Sequence, residues 1–472
     1  MAILDYFQEP DAERFLLVEI QRNVIPSKTY YLADGYYITE PDDTPANTPY
    51  MSIIGGRGLP EFRRTLNDPF TGNASTSFGS LELSSNLCFY KQGASSGEEE
   101  MQTPKGAIVS CFLAAPVKLF PRTDAIPLAV GTVQRFSGSS DGSYSIEITD
   151  NREKVSSKLL EIGSYPFCYG LVRNMTPVLG DPATRTYYVN QGAIESIDAV
   201  YDDGVTLAPA QYTVNLSTGS FTLVNNPVGQ VTADVKGMKV GGTWLSNTQQ
   251  IISDILTKAG ISGFSITYDL PSGTIGYLIT QTISLDSILN DLCLGCGSYW
   301  LVDRLGNLNF KKYPVISGMG ELFTESELLS ELTYETEENL FDSVKYTYKN
   351  NWTVLQPRVG ASTPIAMFVQ KEAEEATLNL SSPDSELIYT DSPILKTYFD
   401  NQSDAQIVAQ NVLNLFSVPR RYYSFVAPFI NTLDLGNTVT VILNELEVTG
   451  IVTEVSDVFD GSYPTQKIKI LV

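Results

Sequence analysis

The chain of 472 residues contains no histidine. Histidine is the commonest general base of enzymes, so its absence excludes Ser-His-Asp and Cys-His catalysis outright. It is also the commonest metal ligand, which leaves few ways to build a metal centre. The sequence has no run of about 18 apolar residues either, and we therefore expect no membrane insertion.

Positive charge is scarce relative to negative charge. Lysine and arginine together number 31 against 54 aspartates and glutamates, which gives a formal net charge of −23. Such a surface repels phosphate backbones, so we do not expect a protein that binds nucleic acids. The charge is compatible with a wall that DNA slides past without sticking, and solubility alone explains it equally well.

Cysteine is scarce as well. The five cysteines are an odd number with scattered spacing, which argues against a disulfide framework. Cys293 and Cys296 have the spacing of a redox pair or of half a metal site, but a metal site needs about four ligands and no second such pair exists. Because Cys293 continues an apolar stripe from Leu289, we predict buried thiols at a helix end and no metal or cofactor.

Strand-forming residues dominate what is present. Hydrophobic residues make up 43% and charged residues only 18%, so packed cores rather than disorder are expected. Threonine, serine, tyrosine, valine and isoleucine fill many segments, which is typical of β-rich proteins. The length predicts several domains.

One sequence motif occurs twice in the chain. Residues 131–148 read GTVQRFSGSSDGSYSIEI, and residues 450–470 read GIVTEVSDVFDGSYPTQKIKI. Asp-Gly between alternating apolar runs indicates a β-hairpin. The copies could be two ordinary hairpins that share a turn. The copies begin at Gly131 and Gly450, and their shared residues stay 319 positions apart as far as Asp-Gly-Ser-Tyr. Because this spacing is constant, we favour a duplicated β-domain.

The centre of the chain has helical periodicity. We predict a helix from Ser246 to Ala259, stopped by Gly260, and a second helix capped by Ser284. A hairpin with its turn at residues 304–307 follows, so this part is a small α/β module. We expect the acidic residues 321–340 to form a linker or short helix.

Two further predictions concern other parts of the chain. Residues 91–105 are polar and rich in glycine and serine, which is typical of a long hairpin tip. Ser403 is expected to cap a helix near the C-terminus.

No residue pattern points to a catalytic, cofactor-binding or metal-binding site. Adjacent acids in turns usually face solvent, and a glycosidase would need two that face each other; such pairs occur at Asp42-Asp43, Asp202-Asp203, Glu337-Glu338 and Glu374-Glu375. Asp198 with Asp202 and Asp203 could bind calcium, but no calcium-loop pattern is present. The pairs Arg63-Arg64 and Arg420-Arg421 could contact a partner, yet such pairs are more often plain surface.

The order of these segments resembles the baseplate (tail-tip) hub proteins of long-tailed bacteriophages. The similarity extends over most of the chain rather than residing in one motif, and it is carried by RFLLVEI, SFGSLELSSNL, GTVQRFSGSSDGSYSIEITD, VGQVTADVKG, IISDILTKAGI, SLDSILNDLCLGCGSYWLVDRLGNLNFKKYP, NVLNLFSVPRRYYSFVAPF and LDLGNTVTV.

The resemblance implies a mainly β fold with an α/β insert, in which two tail-tube-like β-barrels frame two smaller domains. It places the first barrel at residues 1–155, a β-rich hub domain at 156–240, a small α/β hub domain at 241–320 and the second barrel at 321–472. It further implies a homotrimer whose six barrels form a pseudo-six-fold ring. That ring would adapt the six-fold tail to a three-fold fibre or spike.

The implied partners are other virion components. They are the distal tail or tail-tube ring, the tape-measure protein, and a tail fibre or spike, with DNA passing through the channel without specific binding. The implied location is the tail tip of the virion, assembled in the host cytoplasm, and the implied role is structural rather than enzymatic. A receptor- or carbohydrate-binding tail protein and a glycan-degrading tail enzyme are the alternatives.

Overall fold

The computed structural model describes residues 3–8, 12–22, 28–55, 59–67, 74–84, 90–92, 99–101, 105–138, 143–316, 318, 320–337, 339–444, 446–459 and 464–472. Strands account for 45% and helices for 14% of the structure, so the prediction of a mainly β protein is confirmed.

The first third of the chain contains a short helix and twelve strands. They are α1 (Ile3–Gln8), β1 (Phe15–Arg22), β2 (Lys28–Ala33), β3 (Tyr37–Ile38), β4 (Pro49–Ser52), β5 (Leu59–Leu66), β6 (Ala74–Ser77), β7 (Ser80–Leu83), β8 (Tyr90–Gln92), β9 (Glu99–Met101), β10 (Ile108–Ala114), β11 (Ile126–Gly138) and β12 (Tyr144–Thr149).

Eight of these strands form one sheet, which we call the first β unit. The strand order is β3-β4-β2-β1-β10-β11-β12-β7. Alternate residues of β7 and β10 are buried, as expected for strands with one face on a core. The residues just after β4 contact β2 and also β7 at the far end of the sheet, because Ile54 donates its N–H to Ala33 of β2 and Gly55 donates to Glu82 of β7 at 2.8 Å.

The middle of the chain mixes strands and helices. Its elements are α2 (Glu153–Ser156), β13 (Leu159–Leu160), β14 (Phe167–Met175), β15 (Val178–Asp181), β16 (Thr186–Tyr188), β17 (Ile194–Asp202), β18 (Val205–Thr206), β19 (Tyr212–Asn215), β20 (Ser220–Leu223), β21 (Val231–Val240), β22 (Thr243–Trp244), α3 (Thr248–Lys258), β23 (Ile266–Asp269), β24 (Gly276–Ile279), β25 (Ile283–Ser284), α4 (Leu285–Gly295), β26 (Ser298–Val302) and β27 (Leu308–Lys312).

These middle elements build a β region and a small α/β region. One sheet has the order β18-β17-β21-β14-β24 and a second has the order β15-β16-β20-β19. In the α/β region β23 pairs in parallel with β27, which pairs with β26. The apolar faces of α3 and α4 share one large core with the helix at Gln402–Phe416.

The last third contains α5 (Thr363–Val369), α6 (Gln402–Phe416) and eight strands, namely β28 (Glu321–Thr324), β29 (Thr333–Thr336), β30 (Ser343–Tyr348), β31 (Glu374–Asn379), β32 (Arg421–Pro428), β33 (Thr438–Leu443), β34 (Leu446–Phe459) and β35 (Thr465–Leu471). Six of them form the second β unit, a sheet with the order β28-β33-β34-β35-β32-β29. The strands β30 and β31 pair separately.

The helix predictions are confirmed in place but shifted at their ends. The first helix begins at Thr248 rather than Ser246 and is capped by Asn247, whose side chain accepts from Gln250, and Gly260 follows its end at φ +69°. Ser284 caps the second helix as predicted. The cap position of α6 is Asn401, so the prediction for Ser403 is wrong by two residues.

The expectation of a linker or short helix at residues 321–340 is only partly right, because a short 3-10 helix at Glu325–Glu327 lies between two strands. This stretch supplies β28 and β29, which form the two ends of the sheet of the second β unit. The acidic side chains misled the prediction, because most of them are exposed while Phe323 is 2% exposed and fixes the strand to the core.

Candidate functional site at the junction of the two β units

The repeated sequence motif occupies equivalent positions in the two β units. Its first halves lie in β11 and β34, and both are the long strands of their sheets. Gly131 pairs with Val109 of β10, and Gly450 pairs with Val439 of β33. The hairpin and the strand that precedes it therefore have the same register in both units.

The same irregularity also occurs in both copies. The pairing of β11 with β12 shifts between Val133 and Arg135, and the pairing of β34 with β35 shifts between Val452 and Glu454. These positions differ by the same 319 as the glycines. A β-bulge re-aims a strand and is a specific feature of a fold, so a shared bulge supports a duplicated unit.

The repeated glycines have one physical reason. A Cβ on Gly131 would lie 2.7 Å from the carbonyl oxygen of Thr149, and a Cβ on Gly450 would lie 2.4 Å from that of Leu471. In both hairpins the returning strand crosses the glycine too closely for any side chain.

The copies diverge after the turn. Beyond it, equivalent residues differ by 322 positions, since Phe136 pairs with Ile146 while Val455 pairs with Ile468. The second hairpin is therefore longer. The Asp141-Gly142 and Asp460-Gly461 turns lie outside the described residues. In the first hairpin Tyr144 pairs with Gly138. At the equivalent position of the second hairpin Gln466 pairs with Asp457.

A strand from the first third of the chain joins the two units. β5 pairs antiparallel with β34, with Thr65 opposite Glu454 and Phe62 opposite Asp457. β6 then pairs with β5. The sheet of the second β unit is thus extended by residues that lie between two strands of the first β unit.

Arg64 of β5 is the charged centre of this junction. Its side chain is 1% exposed, and its two terminal nitrogens lie 2.9 Å from Asp434 and 2.9 Å from Asp457. Gln466 donates to the other oxygen of Asp457 at 2.7 Å, and Lys311 of β27 lies 3.3 Å from Asp434. We call these five residues the junction cluster.

The junction cluster is electrically balanced. Burial by itself raises the pKa of Asp434, but Arg64 and Lys311 outweigh it and hold that pKa below its ordinary value. Asp457 is 0% exposed and has only Arg64 as a charged partner at hydrogen-bond distance among the described residues. Loss of the guanidinium would leave a buried, unpaired carboxylate, which is strongly destabilising.

A second arginine ties the α/β region to both units. Arg304, in the turn between β26 and β27, donates to the carbonyl oxygens of Pro127 and Leu128 at 2.9 and 2.7 Å. The same side chain donates to the carbonyl oxygen of Asn431 at 2.6 Å. Burial lowers the pKa of Arg304. One side chain therefore contacts β11 of the first unit and the loop after β32 of the second.

Sequence reasoning treated Arg63-Arg64 as surface, and this interpretation is wrong for Arg64. Arg63 is the surface member, 53% exposed and paired with Glu454 at 2.8 Å. The alternation of β5 places Arg64 on the opposite, inward face. Arg420 donates to the carbonyl oxygens of Asn414 and Leu415 at the end of α6.

The prediction that Cys293 and Cys296 are buried thiols at a helix end is confirmed. Cys293 and Cys296 are each 0% exposed and unbonded to one another. Burial raises the pKa of Cys296 to about 12 and that of Cys293 well above its ordinary value. Thiols in this state are poor nucleophiles and poor metal ligands. Within the described part of the chain no group of three potential metal ligands occurs.

The acidic pairs do not converge on one another. Asp202 accepts from the N–H groups of Val228 and Gly229, while Asp198 lies 3.6 Å from Lys236. The geometry therefore does not bring the suggested calcium ligands together. Asp43 accepts from the N–H of Arg122 at 2.8 Å. Glu374 pairs with Lys371 at 3.4 Å.

The predicted hairpin at residues 91–105 is partly described. Its strands β8 and β9 pair, with Tyr90 opposite Met101. Residues 93–98 and 102–104 lie outside the described residues. In the described part of the chain, no helix has the length and apolar character needed to cross a membrane.

Comparison with solved structures finds phage and prophage tail proteins. The 43 kDa tail protein of prophage MuSo2 from Shewanella oneidensis aligns over 97% of this chain and 98% of its own, with 11% identity and a TM-score of 0.41. A tail protein from Neisseria meningitidis MC58 aligns over 97% and 96%, with 8% identity and a TM-score of 0.46.

A third similar structure is the prophage tail protein gp18 from Listeria monocytogenes. It aligns over 90% of this chain and 92% of its own, with 10% identity and a TM-score of 0.42. No protein-family model matches the chain, and no curated protein matches it. All three of these structures are described as tail proteins.

Proposed function

We propose that this chain is a structural hub of a phage tail tip or baseplate. Three copies would place six β units in a ring, with first and second units alternating. The observation that carries the proposal is the shared register and shared bulge of the two hairpins in β11 and β34. Two equivalent units in one chain are what a three-fold particle needs to match a six-fold tail.

The junction supports a ring because it fixes how two units sit side by side. Arg64 and β5 hold a first unit against a second unit within one chain. If a similar face-to-face arrangement recurs between chains, each contact repeats around an axis and closes. We propose the division into residues 1–155, 156–240, 241–320 and 321–472, with β5 crossing from the first part into the sheet of the last.

Exposed apolar side chains supply a surface for the next copy. Tyr36 is 79% and Met51 38% exposed at one end of the first sheet, while Tyr334 is 59% and Leu446 43% exposed on the second. None of these residues belongs to the junction cluster.

The parts that occur once per chain explain the three-fold side. The middle β and α/β regions would appear three times in the ring and offer attachment for a fibre or spike. The duplicated units would face the distal tail or tail-tube ring. The hairpin that begins with β8 and ends after β9 is the proposed contact with that ring. Deletion of residues 91–105 should leave the fold intact and abolish this contact.

The channel of the ring would hold the tape-measure protein and later pass DNA. A formal net charge of −23 favours a lumen that repels phosphate and does not bind DNA. A reconstructed ring whose lumen is neutral or basic would contradict this part of the proposal. The location that follows is the virion tail tip, with assembly in the host cytoplasm, and we propose no enzymatic activity.

Mass measurement in solution tests the oligomeric state. We expect particles of about three times the 51.8 kDa chain mass. If trimers require the neighbouring tail protein, co-expression with it should produce them. A chain that remains a monomer both alone and with its neighbour would contradict the hub.

A further inference from the structure

A groove of about 730 Å³ lies beside the central core. Three stretches line it, namely the end of β30 with the loop after it, the residues that lead into β31, and residues 394–398. None of its lining residues belongs to the junction cluster. The volume is within the range of ordinary small-ligand sites, which extends from about 300 to 1,000 Å³.

The walls of the groove are fixed by hydrogen bonds from two asparagine side chains to the backbone. Asn351 donates to the carbonyl oxygens of Val369 and Lys371 at 3.2 and 2.6 Å. Asn350 donates to the carbonyl oxygen of Thr397 at 2.6 Å. These amides tie the three stretches to each other, so little ordering would be needed when a ligand binds.

Two half-buried aromatic rings line the groove in a set orientation. The rings of Trp352 and Tyr398 are nearly parallel, at 13° with centroids 6.1 Å apart. Tyr277 contacts both rings edge-on. The hydroxyl of Tyr398 donates to Asp291 at 2.6 Å, which holds that ring in place.

Polar groups along the groove are left without partners. Among the described residues, no hydrogen bond or ion pair involves the carboxylates of Glu372 and Glu375, the ammonium group of Lys396 or the indole N–H of Trp352. Each of these groups is therefore available to a ligand. Together they offer two acceptors and two donors beside the aromatic rings.

We propose that this groove binds a neutral saccharide. The apolar face of a sugar ring packs on Trp352, and its hydroxyl groups bind the carboxylates and the ammonium group, since hydrogen bonds to charged groups are the strong ones. The three carboxylates Glu372, Glu374 and Glu375 outnumber the amines of Lys371 and Lys396, which disfavours phosphorylated ligands. The charged groups of Glu372, Glu375 and Lys396 along the groove disfavour a lipid tail, because burying unpaired charges against it would be costly.

Titration of the full chain with maltotriose, cellotriose and chitotriose tests the proposal. Tryptophan fluorescence provides the readout, because the chain has only three tryptophans and Trp300 is 0% exposed. We expect at least one of these neutral trisaccharides to bind with a Kd of about 1 mM or tighter, the range of weak specific sites. Trigalacturonate is the anionic control.

Trp352→Ala should weaken the binding at least tenfold when followed by calorimetry, and Trp352→Phe should retain most of it. Trp244→Phe, outside the groove, is the matched control and should bind as the parent does. Failure of all three neutral sugars to bind, preference for trigalacturonate, or unchanged binding by Trp352→Ala would overturn the assignment. Oligomeric mass is measured separately, so a failed hub proposal and a failed saccharide site remain distinguishable.

Discussion

The two β units share a hairpin and differ in how their sheets are completed. In the first unit the residues just after β4 bond to β2 through Ile54 and to β7 through Gly55, all within the first third of the chain. In the second unit β5, which arrives from the first third of the chain, extends β34. β10 and β33 are the strands that precede the hairpin in the two units. On its other side β10 pairs with β1, which is antiparallel to it, whereas β33 pairs with β28, which is parallel to it.

This difference shows that the two units pack against each other as a fixed pair. Phe459 of the second unit lies in the core of the first, and Leu66 and Ala74 lie in the core of the second. A pair locked in this way can act as one building block of a ring. Independent units on a flexible linker could not set a common spacing around an axis.

The largest expected effect is at Arg64. Arg64→Ala should lower the free energy of unfolding by about 3–5 kcal/mol, because Asp457 is left buried without its charged partner. Denaturant titration measures this loss. Arg63→Ala is the matched control on the adjacent residue and should cost about 1 kcal/mol or less, since its ion pair is exposed. Equal effects of the two substitutions would show that the junction is not held by Arg64.

The next effect compares the repeated glycines. Gly131→Ala and Gly450→Ala should each cost about 1–3 kcal/mol, because the added methyl group meets a backbone oxygen that cannot retreat. Gly55→Ala serves as the control, since its nearest neighbour would be an ordinary 3.4 Å away. Thermal unfolding of the three variants tests whether both hairpins have the same close crossing. A large loss at only one glycine would break the equivalence.

A third effect, no larger than about 3 kcal/mol, distinguishes the ends of the two hairpins. Asp150 follows β12, and the matching place after β35 is Val472. Burial raises the pKa of Asp150 to about 6 from 3.8. The folded state thus holds the proton more tightly than the unfolded state. The stability from this group is present below pH 3.8 and is lost as pH rises through about 6.

Asp150→Asn should therefore be more stable than the parent at pH 8, by at most about 3 kcal/mol, and equal to it near pH 3.5. Denaturant titrations across this pH range measure the difference. The exposed Asp124→Asn should show no such divergence. A parent and Asp150→Asn variant that differ equally at all pH values would contradict the role of burial.

Local patterns predicted local structure well. The apolar stripe that runs from Leu289 to Cys293 identified α4 and its buried thiols, and Ser284 marked its start. The hairpin repeat was visible because its glycine and turn are local signals. Its register and bulge could be established only with the partner strands in place.

The junction could not be predicted from local patterns. Arg64 contacts Asp434 and Asp457, which lie 370 and 393 residues away, so no short window contains both partners. Arg304 likewise bonds to backbone oxygens 176 and 127 residues away. An arginine beside another arginine is indistinguishable from surface until its strand is assigned an inward face.

A three-dimensional reconstruction of the assembled particle by electron microscopy tests the central claim most directly. The account predicts three copies around one axis, with six β units in a ring and first and second units alternating. It also predicts that the hairpins of β11 and β34 superpose after a rotation of about 60°, the angle that a six-fold ring requires. A two-fold particle, or a three-fold particle whose two hairpins occupy unrelated positions, would contradict it.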